Sequence, residues 1–286
     1  MKICSACTHR FAAAEWTCPR CNWTPKIRDG IRILMPTTTD GAPGFDAKFF
    51  DEVDQAERDH FWFHGRMALI EHVLDRFFPR AESFLDVGSG TGHVVAALRR
   101  RWPSMQITAA EAFADGLRLT AQRAAGVELV QTDALHLPYD AEFDAVAAFD
   151  VIEHIADDRA ALVSIAAKLK STGKFVMTVP AHQWMWSAHD VVNHHKRRYS
   201  KRGLKALIDG SPMKLELVGY FNSLLFPVAV AQRAASRVRR AEDADVRLPP
   251  APLNSALEKI FAAERYLVGR LPLPPGLSLF AVASAR

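Results

Sequence analysis

Three groups of residues have types and spacings suited to chemistry. The first is a quartet of cysteines, Cys4-x2-Cys7 and Cys18-x2-Cys21, which holds every cysteine of the 286 residues. Two such pairs offer four thiolates, the tetrahedral sulfur set that Zn²⁺ accepts in structural sites. We therefore predict a structural zinc in a small ribbon whose folding depends on the metal. Because no thiol follows residue 21, a cysteine nucleophile is excluded from the rest of the chain.

The second group is a glycine-rich loop, Gly88-Ser89-Gly90-Thr91-Gly92, between a predicted strand and a predicted helix. Glycines allow sharp turns and a close approach of the backbone to a ligand. Glu111 and Asp133 follow the next two predicted strands. A carboxylate after the second strand can accept hydrogen bonds from ribose hydroxyls, and Asp133 could accept one from an adenine amino group. The pattern indicates an adenosine ligand; a dehydrogenase loop would carry a third glycine at residue 93, where His93 stands.

The third group is the segment 180–199, which contains four of the eleven histidines and two of the six tryptophans. In one interpretation His189 or His195 is a general base and Asp190 orients the imidazole. Contacts with a bound substrate, the acceptor of the reaction, are then predicted for His182, Trp184, Trp186, Arg197, Arg198 and Tyr199. In the alternative interpretation, the His189-Asp190 pair caps a helix and residues 197–199 pack against the sheet.

Strands and helices that alternate every 20 to 30 residues must position these groups. They predict an α/β fold with a parallel sheet, and strands are expected at 83–87, 106–110, 127–131, 143–149, 174–179, 214–220 and 277–284. The hydrophobic content of 49% excludes a disordered chain, and the net charge of +4 is too small to predict nucleic-acid binding. The longest apolar run, 224–231, is too short to cross a bilayer, and no secretory signal begins the sequence. We therefore expect a cytoplasmic protein.

Five sequence motifs occur together in this order. They are LDVGSGTG at 85–92, the acidic Glu111, TDAxxLP at 132–138, FDxVxxxDVIEHI at 143–155 and LKxxGxFxMTVP at 169–180. In combination they resemble the class I S-adenosylmethionine-dependent methyltransferases of the type 11 group. The resemblance implies a Rossmann-like sheet of seven strands, with helices on both faces and a final antiparallel hairpin. It implies S-adenosylmethionine binding by Arg66, Asp86, Gly88, Ser89, Gly90, Gly92, Glu111, Ala112, Asp133, Ala134, Phe149 and Asp150.

The resemblance also divides the chain. We expect a zinc ribbon at 1–40, a linker and helical cap at 41–80, and a methyltransferase domain at 81–286 with an acceptor insertion at 181–270. The implied function is O- or N-methylation of a small-molecule, sugar or lipid-linked acceptor. The alternative is methylation of a guanine ring in rRNA, with the ribbon recognising the substrate. A third hypothesis, an adaptor with a vestigial core, conflicts with the intact cofactor motifs.

Two further segments leave alternatives open. Residues 196–240 hold eleven Lys and Arg against two acidic residues, which suits contact with an anionic membrane or RNA, or a solvated helical surface. Asp150-x-x-Glu153-His154 resembles the metal motif of ubiquinone-pathway O-methyltransferases, but here Asp replaces their first Glu and shortens the reach. We favour the interpretation that Glu153 and His154 support the loop beneath the methionine.

Overall fold

The computed structural model describes residues 1–34, 45, 47–239 and 248–286, without the side chains of 236–239. The N-terminal module contains strands β1 (Lys2–Ile3) and β2 (Arg10–Phe11), which pair antiparallel, and β3 (Lys26–Arg28) and β4 (Ile31–Ile33). Asp29 and Gly30 join β3 to β4 with φ angles of 52° and 78°, as a tight hairpin turn requires. The predicted boundary at residue 40 and the start of the predicted linker, 41–44, lie outside the described residues.

The later elements alternate as the sequence predicts. The strands are β5 (Ser83–Val87), β6 (Gln106–Glu111), β7 (Glu128–Gln131), β8 (Phe143–Phe149), β9 (Leu169–Pro180), β10 (Met213–Phe221) and β11 (Ser278–Ala285). The helices are α1 (Ala47–Asp59), α2 (Phe61–Phe77), α3 (His93–Arg101), α4 (Ala114–Arg123), α5 (Asp158–Ala166), α6 (Ala188–Val192), α7 (Lys201–Asp209), α8 (Phe226–Arg239) and α9 (Ala251–Ala263). Because parallel strands need crossover connections, helices fill most of the segments between them.

The sheet has the topology that the resemblance implies. Its order is β10-β11-β9-β8-β5-β6-β7-β4-β3 in the described part of the chain. Strands β5 to β9 run parallel, and β11 pairs antiparallel with both β9 and β10. The seven predicted strands are confirmed, and the hairpin β3–β4 extends the same sheet to nine. The strand order reverses beside β5, and such a switch point is where open α/β sheets bind ligands.

Alternating side chains bury both faces of the sheet. In β5, Phe84 packs into the core on one face, whereas Leu85 and Val87 pack into the core on the other. Helices α2, α3 and α9 contribute to the first core, and α5 and α7 contribute to the second. A strand covered on both faces must be apolar throughout, which explains the continuous apolar runs in the sequence.

Two local features differ from the sequence-based expectation. The helical cap expected within 41–80 is divided at His60, whose ring accepts a hydrogen bond from the amide of Trp62 (3.2 Å) and so caps α2. The strand expected at 174–179 begins earlier, at Leu169. There Phe143 and Ala145 of β8 face Leu169 and Lys174, so the intervening residues form a bulge.

The N-terminal module docks on the edge of the sheet through Trp16 and β4. Strand β4 runs parallel to β7, with Arg32 opposite Val130. The indole of Trp16 is 2% exposed, donates to Glu128 Oε1 (2.8 Å) and meets the ring of Tyr139 edge-on (5.5 Å). The module is therefore built into the core of the larger domain.

No helix in the described ranges has the length and apolarity needed to span a membrane.

Candidate functional site

The four cysteines of the N-terminal module lie close together. The Sγ atoms of Cys4 and Cys21 are 3.7 Å apart, as are those of Cys7 and Cys18, and all four lie within 4.8 Å of one another. A tetrahedral zinc with Zn–S bonds of about 2.3 Å would hold its sulfurs about 3.8 Å apart. A disulfide would need sulfurs at about 2.05 Å. The quartet therefore has the arrangement of a zinc ribbon and fits the metal.

The glycine loop after β5 is anchored at its ends and open in its middle. Gly88, Gly90 and Gly92 have φ angles of 72°, 53° and 79°, in the left-handed region that favours glycine. A Cβ at Gly92 would lie 2.7 Å from the Cα of Thr120, whereas a Cβ at Gly90 would meet no atom within 4 Å. The loop thus packs against α4 at Gly92 and leaves space for a ligand at Gly90.

We expect Gly92→Ala to lower the free energy of unfolding by about 2–5 kcal/mol. The left-handed backbone costs an L-residue about 1–2 kcal/mol, and the clash with Thr120 adds about 1–3 kcal/mol. Gly126→Ala is the matched control, because Gly126 has φ 71° and its Cβ would meet nothing within 4 Å. Urea denaturation of both variants measures the difference; equal losses would show that the close approach to Thr120 has no energetic weight.

Two buried carboxylates lie beside this loop. Glu111 accepts hydrogen bonds from the amides of Gly90 (2.9 Å), Ala112 (2.8 Å) and Phe113 (3.1 Å). Burial raises the pKa of Glu111 despite these bonds. Asp86, at the end of β5, is 2% exposed, and burial raises its pKa to about 7 against the opposing charge of a nearby arginine. Glu111 is thus held in place beside Gly90, and Asp86 is buried near enough to Glu111 for the two charges to interact.

The remaining predicted adenosine contacts lie at the same edge of the sheet. Asp133 follows β7, and its Oδ1 accepts from the amides of Leu135 and His136 (both 2.8 Å). Ala134 is buried beside it. The hydroxyl of Ser89 is buried in the loop and has no hydrogen-bond partner among the described residues. An unsatisfied hydroxyl, fixed carboxylates and an open glycine fit a polar adenosine-type ligand.

Arg66 joins α2 to the end of β8. Its guanidinium contacts the carboxylate of Asp150 at 2.6 Å and donates to the carbonyl of Phe149 (3.0 Å). It also lies 5.3 Å from the ring centre of Trp62. Asp150 itself has φ 57°, so the chain turns sharply there. The structure therefore brings the predicted cofactor residues Arg66, Phe149 and Asp150 together.

A second network near the loop was missed by sequence reasoning. Glu57 of α1 is 7% exposed and accepts from the hydroxyl of Thr91 (2.6 Å) and from Arg123 (2.5 Å), which also pairs with Asp54. Burial raises the pKa of Glu57 against these interactions. The sequence gives little indication of this network, because acidic residues spaced like Asp54 and Glu57 are common on helices. The network ties α1 to the glycine loop.

Phe45 is a second residue that the sequence did not indicate. Its ring stacks on Phe113 (4.9 Å between centres), beside Glu111. The same ring contacts those of His154 (5.7 Å) and His194 (5.2 Å). Phe45 therefore links the adenosine side of the cleft to the loop after β9.

Asp190 is the central contact of the loop after β9. It is 0% exposed, and its Oδ1 contacts His195 Nδ1 at 2.8 Å. Arg198 binds both carboxylate oxygens (2.7 and 3.0 Å), and the amide of Ser187 donates to Oδ2 (2.8 Å). Burial raises the pKa of Asp190, but the bonds from His195 and Arg198 outweigh it and hold this pKa well below its usual range. Asp190 thus remains a carboxylate that orients His195.

The two candidate bases have different surroundings. His195 carries the contact with Asp190, and its Nε2 lies 4.0 Å from Oε1 of the buried Glu153. His189 has its ring centre 6.1 Å from that of His195 and contacts the side-chain amide of Asn193. Burial and the charge of Asp150 raise the pKa of Glu153 well above its usual range. The predicted pairing of an imidazole with Asp190 is therefore made by His195.

The side chains predicted to contact an acceptor fall into two sets. The first set is held by the fold: Arg197 pairs with Asp158 (2.6 Å), the hydroxyl of Tyr199 donates to the same carboxylate (2.8 Å), and Arg198 binds Asp190. This geometry favours packing against the sheet, and acceptor binding by these three stays a prediction.

The second set lies near the surface of the insertion. The ring of His182 stacks on that of Tyr220 (5.3 Å) and contacts Phe226 (5.1 Å). Burial lowers the pKa of His182. Trp184 is 52% exposed and Trp186 is half-buried, so both remain candidates for acceptor contact.

Comparison with known proteins agrees with this fold. Residues 85–177 match the family described as a methyltransferase domain. A demethylmenaquinone methyltransferase of Thermotoga maritima is 30% identical over 113 residues, 39% of this chain and 48% of the relative. The chain therefore spans about half the length of this curated relative.

Solved structures resemble the chain in fold. Phosphoethanolamine N-methyltransferase 2 of Haemonchus contortus, solved with S-adenosylmethionine, has a TM-score of 0.57 at 15% identity, over 85% of this chain and 58% of that one. An S-adenosylmethionine-dependent methyltransferase of Thermotoga maritima has a TM-score of 0.54 at 15% identity, over 84% and 100%. Residues 85–177 therefore match a methyltransferase domain, and the chain shares the fold of these methyltransferase structures, next to a four-cysteine ribbon.

Proposed function

We propose that the chain transfers a methyl group from S-adenosylmethionine to a hydroxyl or amine of a small-molecule, sugar or lipid-linked acceptor. The observation that carries the proposal is the open glycine at position 90, flanked by the buried carboxylates of Asp86 and Glu111 at the switch point of the sheet. When bound, S-adenosylmethionine supplies a methyl group on a positively charged sulfonium. We further propose that the ribbon holds a structural zinc.

The residues of the cleft divide the binding task. Glu111 can accept from a ribose hydroxyl while its three backbone bonds keep it in place, since a carboxylate has about four acceptor positions and one remains. Asp133 uses Oδ1 for its loop, and its other oxygen can accept from the adenine amino group. Asp86 would face the positively charged methionine portion, and a cation there favours its ionised form.

The acceptor must lose a proton when a hydroxyl or amine is methylated. His195 can take it, because Asp190 holds Nδ1 and leaves Nε2 on the inner side of the loop. A fixed imidazole aligned with the acceptor also lowers the entropic cost of the reaction. We propose that His195 rather than His189 has this role in the metal-free protein.

An apolar surface near the acceptor loop supports an acceptor with a hydrophobic part. Trp184 is 52% exposed and its ring lies 6.1 Å from that of Phe226, the first residue of α8. Leu224 and Val228, on either side of Phe226 in sequence, are 47% and 59% exposed. Together with the basic residues of 196–240, this surface supports a lipid-linked acceptor reached from an anionic membrane surface.

We expect Glu111→Ala to weaken the binding of S-adenosylhomocysteine by about 10- to 100-fold. Hydrogen bonds to a charged group contribute about 1.5–3 kcal/mol, and tenfold in affinity is about 1.4 kcal/mol. Isothermal titration calorimetry with Glu15→Ala, which changes an exposed glutamate, gives the matched control. If the unchanged protein does not bind S-adenosylhomocysteine, the proposed function is wrong.

The acceptor class can be determined with radiolabelled S-adenosylmethionine. The protein is incubated with separate lipid, small-molecule and RNA fractions of a cell extract, and incorporation into each is measured. We expect label in the lipid or small-molecule fraction. Label confined to RNA would favour the rRNA alternative instead.

A further inference from the structure

Glu153 is an unusual residue because its carboxyl group is fully buried and its oxygens lack the usual hydrogen-bond partners within the described residues. It lies in the short 3-10 helix Ile152–His154 that follows β8, and it is 0% exposed. Neither carboxylate oxygen has a hydrogen-bond partner among the described residues, apart from an interaction with its own backbone amide. Burying such a group without partners costs several kcal/mol, so the fold retains it at an energetic cost.

Two histidines present free ring nitrogens to the same place. Within the described ranges His154 Nδ1 has no hydrogen-bond partner, and the backbone carbonyl of Asn193 bonds the same ring. His195 uses Nδ1 for Asp190 and directs Nε2 toward Glu153 Oε1, 4.0 Å away. The two ring centres are 4.8 Å apart. Both rings therefore keep one nitrogen free while another group fixes their orientation.

We propose that Glu153, His154 and His195 bind a divalent transition-metal cation of the zinc type. Their ligand atoms lie within 4.8 Å of one another, and bonds of about 2.0–2.2 Å require ligand atoms about 3–4 Å apart, so small side-chain movements complete the site. Two imidazoles and one carboxylate form the donor set of catalytic zinc sites, which leave at least one position open.

The outer contacts are those that metal-binding histidines require. A ligating imidazole almost always donates its other N–H to a carboxylate or a backbone carbonyl, which fixes the ring. Asp190 provides this contact for His195, and the carbonyl of Asn193 provides it for His154. Arg198 in turn holds Asp190 through both oxygens. The loop after β9 therefore contributes a ligand and its support.

Asp150 is not part of this donor set. Its carboxylate is taken by Arg66, with contacts of 2.6 and 2.7 Å. The third ligand comes instead from His195, more than 40 residues later in the chain. The cluster has two positively charged neighbours, Arg66 and Arg198, and two negatively charged neighbours, Asp150 and Asp190. With these pairs formed, Glu153 is the carboxyl group of the cluster that lacks a close cationic partner, and a bound cation would favour its ionised form.

Binding of the proposed cation does not require methyl transfer, but it would change how the acceptor loses its proton. A metal bound to His195 Nε2 would prevent that nitrogen from acting as a base. Its open position would instead bind the acceptor oxygen or nitrogen and lower the pKa of that group. Metal binding and methyl transfer are therefore measured separately.

The test uses the 286-residue chain, from which a chelator has removed bound metal under reducing conditions. The metal-free protein is titrated with Co²⁺ alone, and absorption spectroscopy and elemental analysis measure the ions bound. We expect about two ions per chain, one on the thiolates of the ribbon and one on the new site. Glu153→Gln and His195→Gln should each bind the second ion at least about tenfold more weakly, as supported ligands typically contribute. His64→Gln, in α2, is the histidine control and should retain both ions.

The spectra assign each ion. The sulfur-to-cobalt charge-transfer band should persist in Glu153→Gln and disappear in Cys4→Ser/Cys7→Ser, which should keep the weaker nitrogen–oxygen spectrum. One ion per chain in the unchanged protein, or two in both Glu153→Gln and His195→Gln, would overturn the proposal. Binding of S-adenosylhomocysteine by each variant reports that it is folded. If the unchanged protein does not bind S-adenosylhomocysteine, the proposed function is wrong, but that result does not contradict the metal site.

Discussion

Replacement of Asp190 by Ala should lower the free energy of unfolding by about 3–5 kcal/mol, because it leaves a buried guanidinium without its carboxylate. Arg198 is 7% exposed at its side chain and has two bonds to Asp190. His195 and the amide of Ser187 lose their acceptor in the same variant. Guanidinium chloride denaturation followed by circular dichroism measures the loss.

A matched control and a double variant make this prediction specific. Asp157 accepts a hydrogen bond from Ala160 at the exposed start of α5, and Asp157→Ala should cost only about 1 kcal/mol. Adding Arg198→Met to Asp190→Ala should recover part of the loss, since the uncompensated charge is then removed. A loss for Asp190→Ala no larger than that for Asp157→Ala would contradict the central role of this carboxylate.

Removal of the ribbon metal should unfold the N-terminal module and leave the larger domain folded. Apparent binding free energies of structural zinc in small peptides are about 10–16 kcal/mol, and a module with two two-residue strands has little core to replace them. In Cys4→Ser/Cys7→Ser we expect complete amide exchange within minutes in residues 2–28. Strand β5, in the centre of the sheet, should keep its protection. Hydrogen–deuterium exchange with mass spectrometry measures both.

The docking of the module can be separated from its metal. Trp16→Ala removes a buried indole and its bond to Glu128, and it should cost about 3–5 kcal/mol without the loss of zinc. This variant should expose the edge of β7 to exchange while elemental analysis still finds the ribbon metal. If Cys4→Ser/Cys7→Ser keeps full protection in the N-terminal module, the proposed structural role of zinc is wrong.

Much of the binding cleft could be predicted from the sequence because its parts are local. Gly88, Gly90 and Gly92 need positive φ whatever surrounds them, and the carboxylates Glu111 and Asp133 follow directly after strands whose ends meet at one edge. Cysteine pairs separated by two residues likewise bring their two thiols together within one tight turn. Such features depend on few neighbours, so residue type and spacing are sufficient.

Other features depend on contacts between distant segments, which spacing does not encode. The sequence could not show that β4 would extend the sheet beside β7, that Glu57 would bind Thr91, or that Phe45 would reach His154. The same limit applies to the choice between His189 and His195: both lie within five residues of Asp190, and only the path of the loop brings one of them to it.

The sequence by itself thus determined the fold class, the glycine-rich loop and the cysteine cluster, since these follow from local backbone requirements and from hydrophobic periodicity. The tertiary structure decided which side chains share an environment. The sequence indicates Glu153 and His195 separately and does not relate them, and only folding buries the carboxyl group and places the imidazole 4.0 Å from it. Burial and proximity between separate segments change the energy of a charge, and both are properties of the folded chain.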